Sequence, residues 1–111
     1  MDPKNIFIAC SAMLRKAEWE KANNDNEWSF VGDKKDFHFS LVQQNVDAFF
    51  QEESIYFVTD RHKSKEISKE SAAREVHAAH NNQDITLCSK YFKRFIVFSY
   101  IGIAKQGVYH S

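Results

Sequence analysis

From position 91 to 104 the chain reads Tyr-Phe-Lys-Arg-Phe-Ile-Val-Phe-Ser-Tyr-Ile-Gly-Ile-Ala. No polar residue interrupts the segment from Phe95 to Phe98, and every residue in it is aromatic or β-branched. A strand with one buried face alternates apolar and polar residues. Here Phe95 and Val97 point to one face and Ile96 and Phe98 to the other, so both faces require cover. The segment reads as a central strand with a packed layer on either side, and that requirement constrains the rest of the fold.

The 111 residues are read as one domain, 1–111, long enough to bury a core without covalent staples. Ten Phe raise the aromatic content, and large rings bury much area per residue. Fifteen basic residues balance fifteen acidic ones, so the formal net charge is zero. Dedicated nucleic-acid binders show a basic excess, as do polybasic membrane binders, and this balance argues against both partners. The two cysteines, Cys10 and Cys88, are too few for a disulfide framework. Each stands where an apolar residue is expected, which reads as two buried thiols. The N-terminus begins with Asp2 and Pro3 rather than a basic region and an apolar stretch, so no signal peptide is expected. No apolar run approaches membrane-spanning length. The expected setting is soluble, reducing and cytoplasmic.

Asp2-Pro3 starts a helix, with a capping carboxylate and Pro at the first helical position. Ile6, Phe7, Cys10, Met13, Leu14 and Ala17 share one face, and the helix is expected to run to Ala22, before the breaker at 23–26. Ile8, Ala12 and Trp19 fall on the opposite face beside Arg15, which gives this helix a second apolar face. Segments 28–31 and 37–42 are strand-like and flank turn chemistry at 32–36, predicting a hairpin with Phe37, Phe39 and Leu41 inward and His38 and Ser40 outward. Val46, Phe49 and Phe50 fit a short helix capped by Asn45. Segment 54–59 is a third strand. Ser68 caps a second helix, with Ile67 packing back on Ala72, and Ala72, Ala73, Val76 and Ala79 form a narrow stripe suited to close packing on a sheet. Segment 84–88 is a fourth strand, the opening run a fifth, and 103–109 a sixth, interrupted at 105–107, with Gly102 marking a turn or bulge.

Most of these strand connections are too short for parallel crossovers. The predicted class is therefore α+β: a mainly antiparallel sheet of five or six strands, an N-terminal helix, and a second helix between strands three and four.

Catalytic signatures are absent from the sequence. His77 and His80 stand three apart on the second helix, near enough to share a metal, with His62, Asp84 or Cys88 as a third ligand, but none at a diagnostic spacing. The favoured account of that pair is His80 packed at the edge of the stripe and His77 solvated near the helix end, where a histidine suits the helix dipole. Neither cysteine stands beside an evident base, the three Gly stand alone rather than in a phosphate loop, and the carboxylates carry no sign of desolvation. No cofactor is expected. Basic residues gather at 61–69 and at Lys90, Lys93 and Arg94, the latter beside Tyr91 and Phe92. Such a mixture suits a single-stranded nucleic acid, a strand flanked by protective charges, or an acidic protein partner, and the flanking-charge reading is favoured.

Ser-Ile-Tyr-Phe-Val-Thr-Asp at 54–60, a polar loop, a short helix, Asp-Ile-Thr-Leu-Cys at 84–88, and Phe-Ile-Val-Phe at 95–98 followed by Gly102 form a layout over half the chain. It resembles that of small bacterial α+β immunity proteins of polymorphic and contact-dependent toxin systems. The resemblance implies a non-enzymatic cytoplasmic protein that binds and blocks a partner, and it carries no functional residue across. On the residues themselves, the preferred reading is a protein-binding module facing a toxin or a second copy of itself. Ile8, Ala12, Arg15, Trp19, His38, Lys93 and Arg94 are its candidate contacts. The alternative is a small enzyme or ligand-binding domain with a pocket between sheet and helix, drawing on His38, Tyr56, Cys88 or a metal at His77 and His80.

Overall fold

The structure, a computed structural model, describes residues 2–21, 27–32, 35–79 and 83–109. Helix α1 (Pro3–Leu14) starts as its sequence demands, with Asp2 Oδ1 accepting the Asn5 amide at 2.8 Å and Pro at the first turn. Strands β1 (Glu18–Trp19) and β2 (Ser29–Phe30) follow, then helix α2 (Phe39–Phe49), strands β3 (Ser54–Val58) and β4 (Lys65–Ser68), and a 3₁₀ turn (Lys69–Ser71) leading into helix α3 (Ala72–Ala79). Strands β5 (Ile85–Cys88), β6 (Arg94–Ser99) and β7 (Ile103–Val108) complete the chain.

The strands form one antiparallel sheet in the order β1-β7-β6-β5-β3-β4, with β2 also pairing β7. The α+β class, the mainly antiparallel sheet, the N-terminal helix and the helix between the segments read as strands three and four all hold. The radius of gyration, 12.8 Å, is that of one compact domain of this length.

The double-sided run lies at the centre of the sheet, as β6 between β5 and β7. Its pleat divides two cores. Ile96 and Phe98 join Ile55 and Phe57 of β3 and Ile85 and Leu87 of β5, under Val42, Val46 and Phe49 of α2 and Ala72, Ala73 and Val76 of α3. Phe95 faces the other way with Tyr56, Val58 and Cys88, under Ile6 and Cys10 of α1. Three adjacent strands are thus apolar on both faces, and helices cover each side. Of the stripe predicted on α3, Ala72, Ala73 and Val76 are buried and Ala79 is half-buried against the core, and both thiols are buried.

Five expectations are corrected. Helix α1 stops at Leu14 rather than Ala22: the Lys16 and Ala17 amides bond to the Met13 and Leu14 carbonyls, tightening the last turn, and Trp19 leaves to pair with Gly107 on the outer edge of β7. The hairpin of 28–31 with 37–42 does not form. Segment 29–30 pairs β7 instead, and Phe39 opens α2, because Val42, Val46 and Phe49 at helical spacing outweigh the short alternation before them. His38, not Asn45, occupies the capping position of α2, without a side-chain cap bond. Residues 65–68 form the edge strand β4, so Ile67 is a core residue of the sheet; charged residues on either side of a single apolar one hid it. Strand β7 runs without the expected interruption. The breaker at 23–26 and the helix end at 81–82 lie outside the described residues.

Candidate binding surface

The predicted contact residues separate onto different surfaces. Ile8, Ala12 and Arg15 do lie exposed together on the outer side of α1 and at its C-terminal cap. Trp19 is not among them. It is half-buried in β1, where the Lys105 ammonium lies 4.1 Å from its ring centroid and 4.8 Å from that of Trp28. Glu27 stands 4.0 Å from the same ammonium, so this lysine ties β7 to both flanking segments.

Lys93 is exposed in the turn between β5 and β6. Arg94 is engaged: it donates to the Phe49 carbonyl at 2.6 Å and lies over the Phe49 ring. Lys90 is likewise held, by Glu66 at 2.8 Å, and that donation together with the Ser54 hydroxyl keeps the Glu66 carboxyl below its ordinary range. Asp60 is lowered by the His62 and Lys63 amides, each donating to Oδ1 at 2.8 Å in the turn between β3 and β4.

His38 marks a different kind of surface. Its ring meets Phe30 edge-on at 5.3 Å. Phe37 and Phe39 meet edge-on at 5.0 Å, and His77 packs against both, at 5.3 and 4.7 Å. The Val31 and Gly32 amides bond to the Gly102 carbonyl at 2.9 and 3.1 Å, which fastens the segment after Phe30 to the turn carrying Tyr100 and Ile101. The His38 amide bonds to the Val31 carbonyl at 2.9 Å and folds the start of α2 onto the same place. Gly32 makes this possible: at φ 91° it takes a conformation that side chains disfavour, and a Cβ there would lie 2.1 Å from the Asp36 carbonyl oxygen.

This end of the sheet therefore gathers large apolar side chains that the core does not take up. Phe30 is 61% exposed, Phe39 45%, Leu41 40%, Tyr100 52% and Ile101 59%. At about 200 Å² per large side chain, these five leave roughly 500 Å² in water. Patches of that size on a monomer mark interaction sites, whereas single exposed apolar residues do not. None of the five carries a charge. Lys35, Asp36, His38 and Asp84 are exposed nearby in sequence, and Asp84 accepts the Tyr100 amide at 3.4 Å.

Of this surface, the sequence pointed to His38 alone. Alternation had placed Phe39 and Leu41 inward with Phe37, and only Phe37 is buried. A legible signal for the rest was the continuation Tyr-Ile-Gly after β6: Gly102 closes a turn onto Ser99, at 3.0 Å with φ 100°, and so puts Tyr100 and Ile101 at a tip.

The chemistry considered for an enzyme finds separate places. His77 packs among rings, and His80 lies outside the described residues. Among the described residues no group of three or more His, Cys, Asp or Glu is arranged to hold a metal. Burial pushes the Cys88 thiol well above its ordinary range, which suits an inert core thiol. A cavity of about 220 Å³ lies between the sheet and α2, with Val31, Val42, Ile96 and Phe98 in its floor and Glu20 and Gln106 at its border. A wider cleft of about 800 Å³ lies between β3–β4 and α3, where Lys65 pairs with Glu75. No helix among the described residues is long and apolar enough to cross a membrane. Comparison of the chain with protein-family models, with curated proteins and with solved structures finds no match.

Proposed function

We propose that this chain is a small non-enzymatic protein-binding module, an inhibitor of the kind a cytoplasmic toxin-immunity protein represents. We place its docking surface at the aromatic end, with Phe30, Phe39, Tyr100 and Ile101 as contacts. The observation that carries the reading is the set of exposed, uncharged side chains on segments fastened to one another by the Gly102 and Val31 carbonyls, with Phe30 packed on His38 and Phe39 on Phe37. Rigid aromatic residues lose little entropy on binding and are the usual energetic anchors of an interface. Stable complexes bury about 800 Å² per partner, so roughly 500 Å² of apolar surface supplies the centre of such an interface and leaves the rim to polar neighbours. A partner suited to it presents an apolar, uncharged surface with a cleft for an aromatic ring.

The test is site-specific photocrosslinking in the source cells, with a benzophenone residue at Ile101 or, as a control, at Lys4 on α1. The Ile101 position should capture one protein, identified by mass spectrometry, that the Lys4 position does not. Calorimetry with that protein purified should show at least a 100-fold weaker complex for Phe30→Ser/Ile101→Ser, at unchanged melting temperature. Capture of a second copy of this chain, with the same loss in the variant, supports the self-associating form of the proposal. Equal capture from both positions, or a variant that binds like the native chain, overturns it.

A further inference from the structure

Strands β1 and β2 share the outer edge of β7: β2 pairs with Ile103 and Ala104, and β1 with Gly107 and Val108. The cavity of about 220 Å³ lies beside the stretch of β7 between these two pairings, against β6 and α2. Register decides which side chains face it. Ala104 stands opposite Phe98, Gln106 opposite Ile96, and Ser29 opposite Ala104, and cross-strand partners share a face of the sheet. Val31 completes the lining with Val42 and Asn45, which stand three apart on one side of α2. The floor is apolar and belongs to the larger core, through Val31, Val42, Ile96, Phe98 and Ala104.

The polar groups at the border are not balanced in kind. Alternation along β7 turns Lys105 away from Ala104 and Gln106, towards the face of Trp19 and the smaller core, and its ammonium is taken up by the rings of Trp19 and Trp28 and by Glu27. Lys21, the other cation at the border, has a partner of its own. The Gln106 side-chain amide donates to Glu20 Oε2 at 2.6 Å, and the Ser29 hydroxyl donates to the Ala104 carbonyl at 3.4 Å. What Glu20, Gln106 and Ser29 then offer a ligand is oxygen: the second carboxylate oxygen, the amide oxygen and the hydroxyl lone pairs, all acceptors. Asn45, which donates and accepts, suits either kind of group. An apolar floor under an acceptor border matches a ligand with an apolar body and a charged donor. An apolar cavity of about 150 Å³ holds benzene, so this one has room for a ring with a short chain. We propose that the cavity binds a protonated arylalkyl amine, with its ring against Ile96, Phe98 and Ala104 and its ammonium at Glu20 and Gln106. This site stands apart from the aromatic docking surface and does not depend on it.

The experiment titrates the purified full chain with phenethylamine at neutral pH and follows the amide chemical shifts. Phenethyl alcohol and phenylpropionate serve as the neutral and anionic counterparts. The amine should shift the Val42, Ile96, Phe98 and Ala104 amides saturably and leave those of Ile6 and Cys10, in the smaller core, in place. It should bind about 5-fold more tightly than the alcohol, the scale of one ionic contact with an exposed carboxylate. Phenylpropionate should bind more weakly than either. Glu20→Gln should remove the preference for the amine and leave the affinity for the alcohol unchanged, because Glu20 is exposed and the floor stays intact. Ala104→Val, which narrows the floor, should weaken amine and alcohol alike; if that variant does not fold, Glu20→Gln decides alone. The proposal is overturned by the lack of a saturable shift at these amides, by an alcohol or carboxylate that binds as tightly as the amine, or by a preference that survives Glu20→Gln. Shifts centred on Phe30, Tyr100 and Ile101 would overturn it too, since they would put the amine on the docking surface.

Discussion

Phe92 holds φ at 58°, the only non-glycine residue at positive φ among those described. Left-handed backbone costs an L-residue about 1 kcal/mol or more, and a bulky side chain has no local hydrogen bond to offset it. What fixes it is the surrounding turn. The Phe92 amide bonds to the Ser89 carbonyl at 2.9 Å, and the Ser89 hydroxyl accepts the Lys93 and Arg94 amides at 3.0 Å each. The ring then stacks on Tyr56, with centroids 5.4 Å apart and planes 20° apart. Ring packing and backbone strain therefore oppose each other at one residue, and two substitutions separate them. Phe92→Ala loses the ring and keeps the strain; Phe92→Gly loses the ring and releases it. Both should be less stable than the native chain, with the glycine variant more stable than the alanine variant by about 1 kcal/mol in urea unfolding. Equal stability of the two would mean that the turn is not strained in solution.

The central elements were legible because their burial is written in their own residue types. Strands β3, β5 and β6 are apolar on both faces, and α3 carries its stripe of small residues within one turn pattern. The elements at the outer edge of β7 were not, because their conformation is set by a partner far away in sequence. Glu18–Trp19 lies in continuation of a helical pattern and becomes a strand because β7 offers an edge and Gly107 offers room. A Cβ at Gly107 would lie 2.6 Å from the Glu18 carbonyl oxygen and 2.7 Å from Trp19 Cε3. For the same reason the candidate surface was only partly legible: Phe30 is displayed by pairing with Ile103, and Phe39 by the start of a helix that alternation had concealed. Gly107→Ala should therefore detach β1 while leaving β5 and β6 paired. The expected cost is about 2 kcal/mol, in the range of overpacking substitutions. Hydrogen exchange is the direct measure: the Glu20 amide, which bonds to the Gln106 carbonyl at 2.8 Å, should lose protection, while the Ile96 amide keeps it. Retained protection at Glu20 would show that the edge accommodates a methyl group.

At the scale of the whole molecule the sheet separates two cores of unequal size. The larger lies under α2 and α3 and draws on five strands; the smaller contributes only Ile6 and Cys10 of α1 as fully buried helical residues. The two ends of the sheet differ as well. The end carrying the turn between β5 and β6 holds Lys90 to Glu66 and Arg94 to the Phe49 carbonyl and exposes Lys93 and Tyr91, whereas the end carrying the turn between β6 and β7 exposes the uncharged Tyr100 and Ile101. A helix held by so few buried residues opens at less cost than the strands beneath it, since local opening follows the apolar area that each unit buries. Native-state hydrogen exchange should accordingly show the amides of α1 opening together, at a free energy about 2 kcal/mol or more below that of the β5 and β6 amides. Exchange of α1 only through global unfolding would mean that the smaller core is as cooperative as the larger.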